Sequence, residues 1–146
     1  MARDDEAIVQ AFRNYVQAFQ SLEARAPVPY CQLPCLFISD QGVRVMANAG
    51  ELQAFIAGLM ESLKARGFSR SEVADMRVNQ MSENIALVSV RRIRYKTDGS
   101  ELERLGETYT FRKIDNDWKV LAAMVHDPDV ILETDRTRRA PDASRA

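Results

Sequence analysis

The sequence is poor in the residues that build metal and disulfide sites, with one histidine, His126, and two cysteines, Cys31 and Cys35. One histidine and a C-x-x-x-C pair supply too few soft ligands for a closed zinc centre, and the spacing is not that of a thioredoxin-like motif. Two reduced, partly buried thiols are expected. No glycine-rich phosphate loop is present, so no cofactor is expected. An excess of either charge is also missing. With 20 basic and 21 acidic residues the net charge is -1, and nothing would hold the chain on nucleic-acid phosphates or an anionic membrane. No apolar run reaches membrane-spanning length, and the opening "MARDDEAIVQ" is acidic where a secretion signal would be basic and then apolar. These absences point to a cytoplasmic protein with neither nucleic acid nor membrane as partner.

What is present is an ordinary globular composition, 46% hydrophobic and 28% charged over 146 residues, enough for one domain with one core. From Asp5 to Leu22 the residues Ile8, Phe12, Tyr15, Phe19 and Leu22 draw one stripe along a helix, with Asp4, Asp5 and Glu6 at its positive end. Pro27 and Pro29 forbid its continuation, so "PVPYCQLPC" reads as a connector. "CLFIS" and "VRVM" then read as two brief strands around the "DQG" turn.

A second helix follows. Asn48 and Glu51 have capping-box spacing, Leu52, Phe55, Ile56, Leu59, Met60 and Leu63 form one apolar face, and Gly67 supplies the stop. The remainder reads as an antiparallel meander. "FSRSEV" reads as a solvated or connecting segment, "VADMRVNQM" alternates, "IALVSV" is apolar enough to be covered on both faces, and "RRIRYK" turns basic. Asp98-Gly99 marks a hairpin, a strand from about Leu102 to Ile114 carries Gly106 as a natural bulge, and "DND" leads into the last strand from Trp118. From Glu133 onward periodicity is lost, so residues 1–130 are expected to form the domain and 131–146 a flexible tail.

This order of elements, closing on "YTFRKIDNDWKVLAAMVHDP", resembles the nuclear transport factor 2-like superfamily, the SnoaL-like and ketosteroid-isomerase-like α+β cone, over roughly Asp5 to Pro128. The resemblance implies a curved antiparallel sheet wrapped around the N-terminal helices, an apolar cavity at the open end, and homodimers through the outer sheet face. It also implies a candidate catalytic trio: Tyr15 as hydrogen-bond donor to an enolate, Asp40 as base and Glu107 as the second, protonated acid. Such a trio would move a proton beside a carbonyl and stabilise the oxyanion in a dry pocket.

Each residue also has a plainer reading. Asp40 heads a turn where aspartate is favoured for backbone reasons, Tyr15 is on the apolar stripe, and Glu107 can pair with Arg91 or Arg92 on the neighbouring strand. If Lys113 pairs with Lys119 across a three-residue turn, Glu107, Tyr109 and Phe111 share a face with Leu121, Ala123 and Val125, while Val120 and His126 lie on the opposite one. Tyr109, Phe111 and His126 are the candidate ligand contacts. His126 also suits a strand end, hydrogen-bonded beside the side-chain-free Gly106, and this is the preferred reading. The basic "RRIRYK" strip reads as a solvated ladder neutralised by Glu101, Glu103 and Glu107. A protein binding a small, largely apolar molecule is the leading expectation, with a proton-transfer enzyme or a dimeric interaction module as alternatives.

Overall fold

The computed structural model describes residues 3–132. Helix α1 (Asp5–Gln20) is followed by a 3-10 turn (Val28–Tyr30), strands β1 (Cys31–Ser39) and β2 (Gly42–Met46), helix α2 (Ala49–Ala65), and strands β3 (Phe68–Ser82), β4 (Ile85–Lys96), β5 (Glu101–Ile114) and β6 (Asp117–His126). The strands form one six-stranded sheet in the order β2-β1-β6-β5-β4-β3, antiparallel except where β1 meets β6. The sheet curves without closing, and register shifts along β3 and β4 supply local bending. The fold is the expected α+β cone.

Both helices bury the faces that their periodicity marks. In α1 the buried positions are Ile8, Phe12, Val16 and Phe19; in α2 they are Leu52, Ile56, Met60 and Leu63. Asn48 caps α2 by accepting from the Glu51 N–H at 2.9 Å, while Glu51 reaches back to the Ala47 N–H at 2.7 Å. Helix α1 has no such side-chain cap. The Asp4 carboxylate instead accepts from Lys113 Nζ at 2.8 Å and Trp118 Nε1 at 3.3 Å, which docks the helix start on the β5–β6 hairpin.

Three local expectations are corrected. The "CQLP" segment belongs to β1 rather than to a connector, with its pairing to β6 shifted between Cys31 and Leu36, where Pro34 has no N–H to donate. "FSRSEV" likewise lies in β3 rather than in a connecting segment. The third correction concerns the last hairpin. Its turn is the two residues Asp115 and Asn116, both at positive φ, so Lys113 faces Trp118 rather than Lys119. Leu121 is then an extra residue in β6, and this bulge restores the expected pairs Tyr109–Ala123, Glu107–Val125 and Gly106–His126. Val120, expected on the outside, therefore faces the core opposite Phe111.

Gly106 is consequently not a bulge. Its pairing is regular on both sides, and its role is clearance: a Cβ there would lie 2.6 Å from the Asp127 carbonyl oxygen and 2.7 Å from the His126 ring. Of the tail expected from residue 131, the described part runs against the sheet, where the Leu132 N–H donates to Ser89 Oγ at 3.0 Å. The rest of that expected tail lies outside the described residues. No helix among the described residues is long and apolar enough to cross a membrane.

Gly106→Ala should destabilise the protein by about 1–3 kcal/mol, the usual range for overpacking a site that cannot relax freely. Urea denaturation checks this, with the unfolding midpoint expected to fall at unchanged slope.

Candidate functional site

Strand alternation builds the cavity wall. Along the inner face of β5 come Glu103, Leu105, Glu107, Tyr109 and Phe111; opposite them on β4 come Arg94, Arg92, Val90, Val88 and Ala86. Toward Phe111 the wall is core. Toward Glu103 it opens into a cavity of about 400 Å³, closed on its other sides by α1, α2, β1 and β6 through apolar residues such as Phe19, Cys35, Ile56, Leu59 and Ala123. That volume is within the ordinary range for small-molecule sites. Both thiols, Cys31 and Cys35, are free and buried on its wall.

At the deep end lies a buried ion pair. Arg92 and Glu107 have side chains only 3% and 9% exposed, and Arg92 Nε lies 2.6 Å from Glu107 Oε1 with its N–H directed off that oxygen, an ionic contact rather than a linear hydrogen bond. Tyr109 completes the group: its hydroxyl donates to Glu107 Oε2 at 2.6 Å and accepts from Arg92 Nη2 at 3.2 Å. Aromatic rings pack around it, with Tyr109 edge-on to Phe12 at 5.4 Å and to Tyr15 at 5.7 Å. Burial pushes both phenols well above their ordinary range, and the nearby Glu107 carboxylate adds to it, so both hydroxyls keep their protons. Burial works against the Arg92 charge, but the Glu107 carboxylate outweighs it and holds the guanidinium protonated. The Tyr15 hydroxyl donates to no acceptor among the described residues.

The mouth is differently built. Glu103 lies between Arg66, which caps α2 and approaches it at 2.8 Å, and Arg94, also at 2.8 Å. Burial favours the protonated acid, yet the two guanidiniums prevail and hold the Glu103 carboxyl below its usual range. Arg104 borders the same opening and pairs with Glu101 at 3.0 Å.

A family described as NTF2-like protein (DUF6841) matches residues 4–128. The chain belongs to this NTF2-like family. None of the curated proteins matches it. Solved structures of similar fold include a Nostoc punctiforme protein of unknown function with a cystatin-like fold (npun_r3134), at TM-score 0.71 and 12% identity over 94% of this chain and 98% of that one. An NTF2-like protein of unknown function from Shewanella oneidensis superposes at TM-score 0.68 and 15% identity, over 86% of this chain and 100% of its own. An NTF2-like protein with a cystatin-like fold from Novosphingobium aromaticivorans does so at TM-score 0.68 and 15% identity, over 92% and 85%. At these identities the likeness establishes the fold alone.

Within this NTF2-like cone the candidate residues separate. Tyr15, Glu107 and Tyr109 line the one cavity. Asp40 does not. It is exposed in the β1–β2 turn, beside an open surface cleft shared with His126 and Asp127, so the expected trio lacks a base inside the cavity. The side-chain bond of that turn is made by Ser39, whose Oγ accepts from the Gln41 N–H at 3.2 Å. Phe111 is fully buried in the core beyond Tyr109 and lies off the cavity lining, because its row is closed by Ala86 and Val120.

His126 borders the mouth, but its ring lies over Gly106 on the opposite face of the sheet from Glu107. Both ring nitrogens are engaged, Nε2 with Thr108 Oγ1 at 2.8 Å and Nδ1 with the Asp127 carbonyl at 3.1 Å. The chain continues from Thr108 to Ser89 Oγ at 3.0 Å and ends on the Leu132 N–H. Its ends are set by chemistry: the Asp127 carbonyl can only accept, so the ring carries a proton on Nδ1, and the Leu132 amide can only donate, so Ser89 Oγ accepts there. The two hydroxyls between them can each donate and accept.

The mouth and the buried guanidinium were not among the residues chosen from the sequence, where "RRIRYK" reads as a solvated strip. Arg94–Glu103 does form such a rung, and Arg91 lies 3.4 Å from Asp75. The missed signal was phase: Arg92 and Arg94 continue the inward positions of Val88 and Val90.

Glu107→Gln should cost about 3–5 kcal/mol, the usual penalty for leaving one member of a buried pair uncompensated. Arg92→Met combined with Glu107→Leu should cost clearly less than the two single changes added, as measured by a double-mutant cycle in urea. Glu103 supplies a pH test. Its folded-state pKa is depressed, so its stabilisation is present above the unfolded carboxylate pKa and lost as pH falls through the lower folded value. Glu103→Gln should therefore flatten the acid limb of the stability profile followed by thermal unfolding against pH.

Proposed function

We propose that this protein binds a small, largely apolar molecule in the cone cavity. The observation that carries this reading is an open hollow of about 400 Å³ on an otherwise packed core, lined mainly by apolar side chains. The Tyr15 hydroxyl at its wall, with no acceptor among the described residues, is a donor that can orient a carbonyl or hydroxyl of the guest. The enzyme reading of the ketosteroid isomerase type finds no comparable support. Asp40 is outside the cavity, and Glu107 is committed to Arg92 and Tyr109.

A homodimer through the outer sheet face is part of this proposal. Two rows of small and apolar side chains cross that face, Val45–Leu36–Ala122–Thr110 and Val43–Ile38–Met124–Thr108. Val43 and Val45 are 64% and 58% exposed on the edge strand, a combination that a second copy of the sheet would cover.

Protein taken directly from cells should carry a small-molecule mass in native mass spectrometry that is lost on denaturation. The purified protein should also bind the neutral fluorophore Nile red saturably at one site. Leu59→Trp, which fills the cavity from α2, should weaken that binding by about tenfold or more while leaving the circular dichroism spectrum intact. Absence of both the retained mass and saturable dye binding would reject the proposal. Val43→Glu together with Val45→Glu should convert a dimer to a monomer in size-exclusion chromatography with light scattering; a monomeric parent protein would reject the dimer.

A further inference from the structure

Besides two tyrosines, two cysteines and His126, whose ring nitrogens are both engaged, the ionisable groups lining the cavity are four arginines, Arg66, Arg92, Arg94 and Arg104, and two glutamates, Glu103 and Glu107. Inside, Arg92 and Glu107 neutralise one another. At the mouth, Arg104 takes Glu101 as its partner. What is left is one carboxylate, Glu103, between two guanidiniums. Its Oε1 accepts from Arg66 Nη1 at 3.3 Å and from Arg94 Nη1 at 2.8 Å, and its Oε2 from Arg66 Nη2 at 2.8 Å. A carboxylate shared in this way leaves one positive charge unmatched at the opening.

The excess falls on Arg94. Arg66 is spent at both ends, since it makes a fork with Glu103 and sits at the C-terminus of α2, where a cation is favoured by the helix dipole. Arg94 has a side chain only 16% exposed and gives a single N–H to Glu103, so its Nε and Nη2 donate to no acceptor among the described residues. A half-buried guanidinium whose unused, coplanar N–H groups face the opening is suited to a carboxylate or similar oxyanion, which it can grip with two parallel hydrogen bonds. Behind it the wall turns apolar. The four-residue step from Glu103 to Glu107 spans about 13 Å of strand, bordered by Leu105, Phe19 and Leu59, before the neutralised Arg92–Glu107 pair is reached.

We propose that the cavity takes an amphipathic monoanion, an apolar body with a carboxylate head, with the head on Arg94 at the mouth and the body directed inward. This rests on the reading of the cavity as a small-molecule site and adds the charge and polarity of its guest. The deep end has no unmatched charge, so the reverse orientation would bury the head against a pair that is already complete.

The test uses three probes with the same ten-carbon tail, decanoate, decanol and decylammonium, titrated below their micelle-forming concentrations by calorimetry at pH 7.5. Decanoate should bind at least about tenfold tighter than decanol, with decylammonium weakest, and its advantage should shrink as salt is raised. Arg94→Gln should bring decanoate down to the affinity of decanol, and Arg66→Gln should reduce it less; matching thermal unfolding midpoints confirm that each variant is folded. Equal affinity of decanoate and decanol in the parent protein would overturn the anionic head while leaving the apolar cavity intact. Failure of all three to bind would overturn both readings.

Discussion

The interior of this protein is arranged around a charge that water cannot reach. Arg92 is buried on the inner face of the sheet, and its guanidinium is tolerable there only because Glu107 lies on the adjoining strand in diagonal reach and Tyr109 joins the two. The requirement spreads outward. Tyr109 must hold its hydroxyl at the pair, which sets its ring against Phe12 and Tyr15 and thereby sets the seat of α1. A neutralised polar floor, with aromatic sides and open space above it, is the result.

The outer face of the same strands solves a different problem. There the sheet carries hydroxyls and a histidine, and each of these groups from the Asp127 carbonyl to the Leu132 N–H is paired with the next. The absence of a side chain at Gly106 makes this possible, since the ring of His126 occupies the space a Cβ would need. The β5–β6 pair thus holds a compensated charge inward and a closed hydrogen-bond chain outward, on successive residues. A slip of one position would exchange the two and leave both unsatisfied.

Much of the fold was legible in the chain. The stripes of α1 and α2, the Asn48 cap and the alternation of β4 and β5 all depend on residues within a few positions of each other. The pairing of Gly106 with His126 was also anticipated, although through a turn one residue too long and without the Leu121 bulge; the two departures cancel beyond Leu121. Between them they do not, and Val120 changed faces. Among the site residues, Tyr15, Glu107 and Tyr109 were found through the helical stripe and strand alternation, while Arg92 entered only beside Arg91 as a partner for Glu107 and Arg94 only as part of the charge ladder, because a run of basic residues reads as solvent-facing unless its phase is tied to the apolar residues before it.

By itself the sequence determined the order of elements, the apolar faces of the helices and the antiparallel character of β3 to β6, because these follow from backbone periodicity and local turn chemistry. Tertiary structure decided which charges are buried, which meet at the mouth, and that Asp40 lies apart from Tyr15 and Glu107. Those outcomes depend on how far the sheet curves and where one extra residue enters a strand, and they bring together side chains from β4, β5 and both helices whose separation along the chain carries no record of their distance in space.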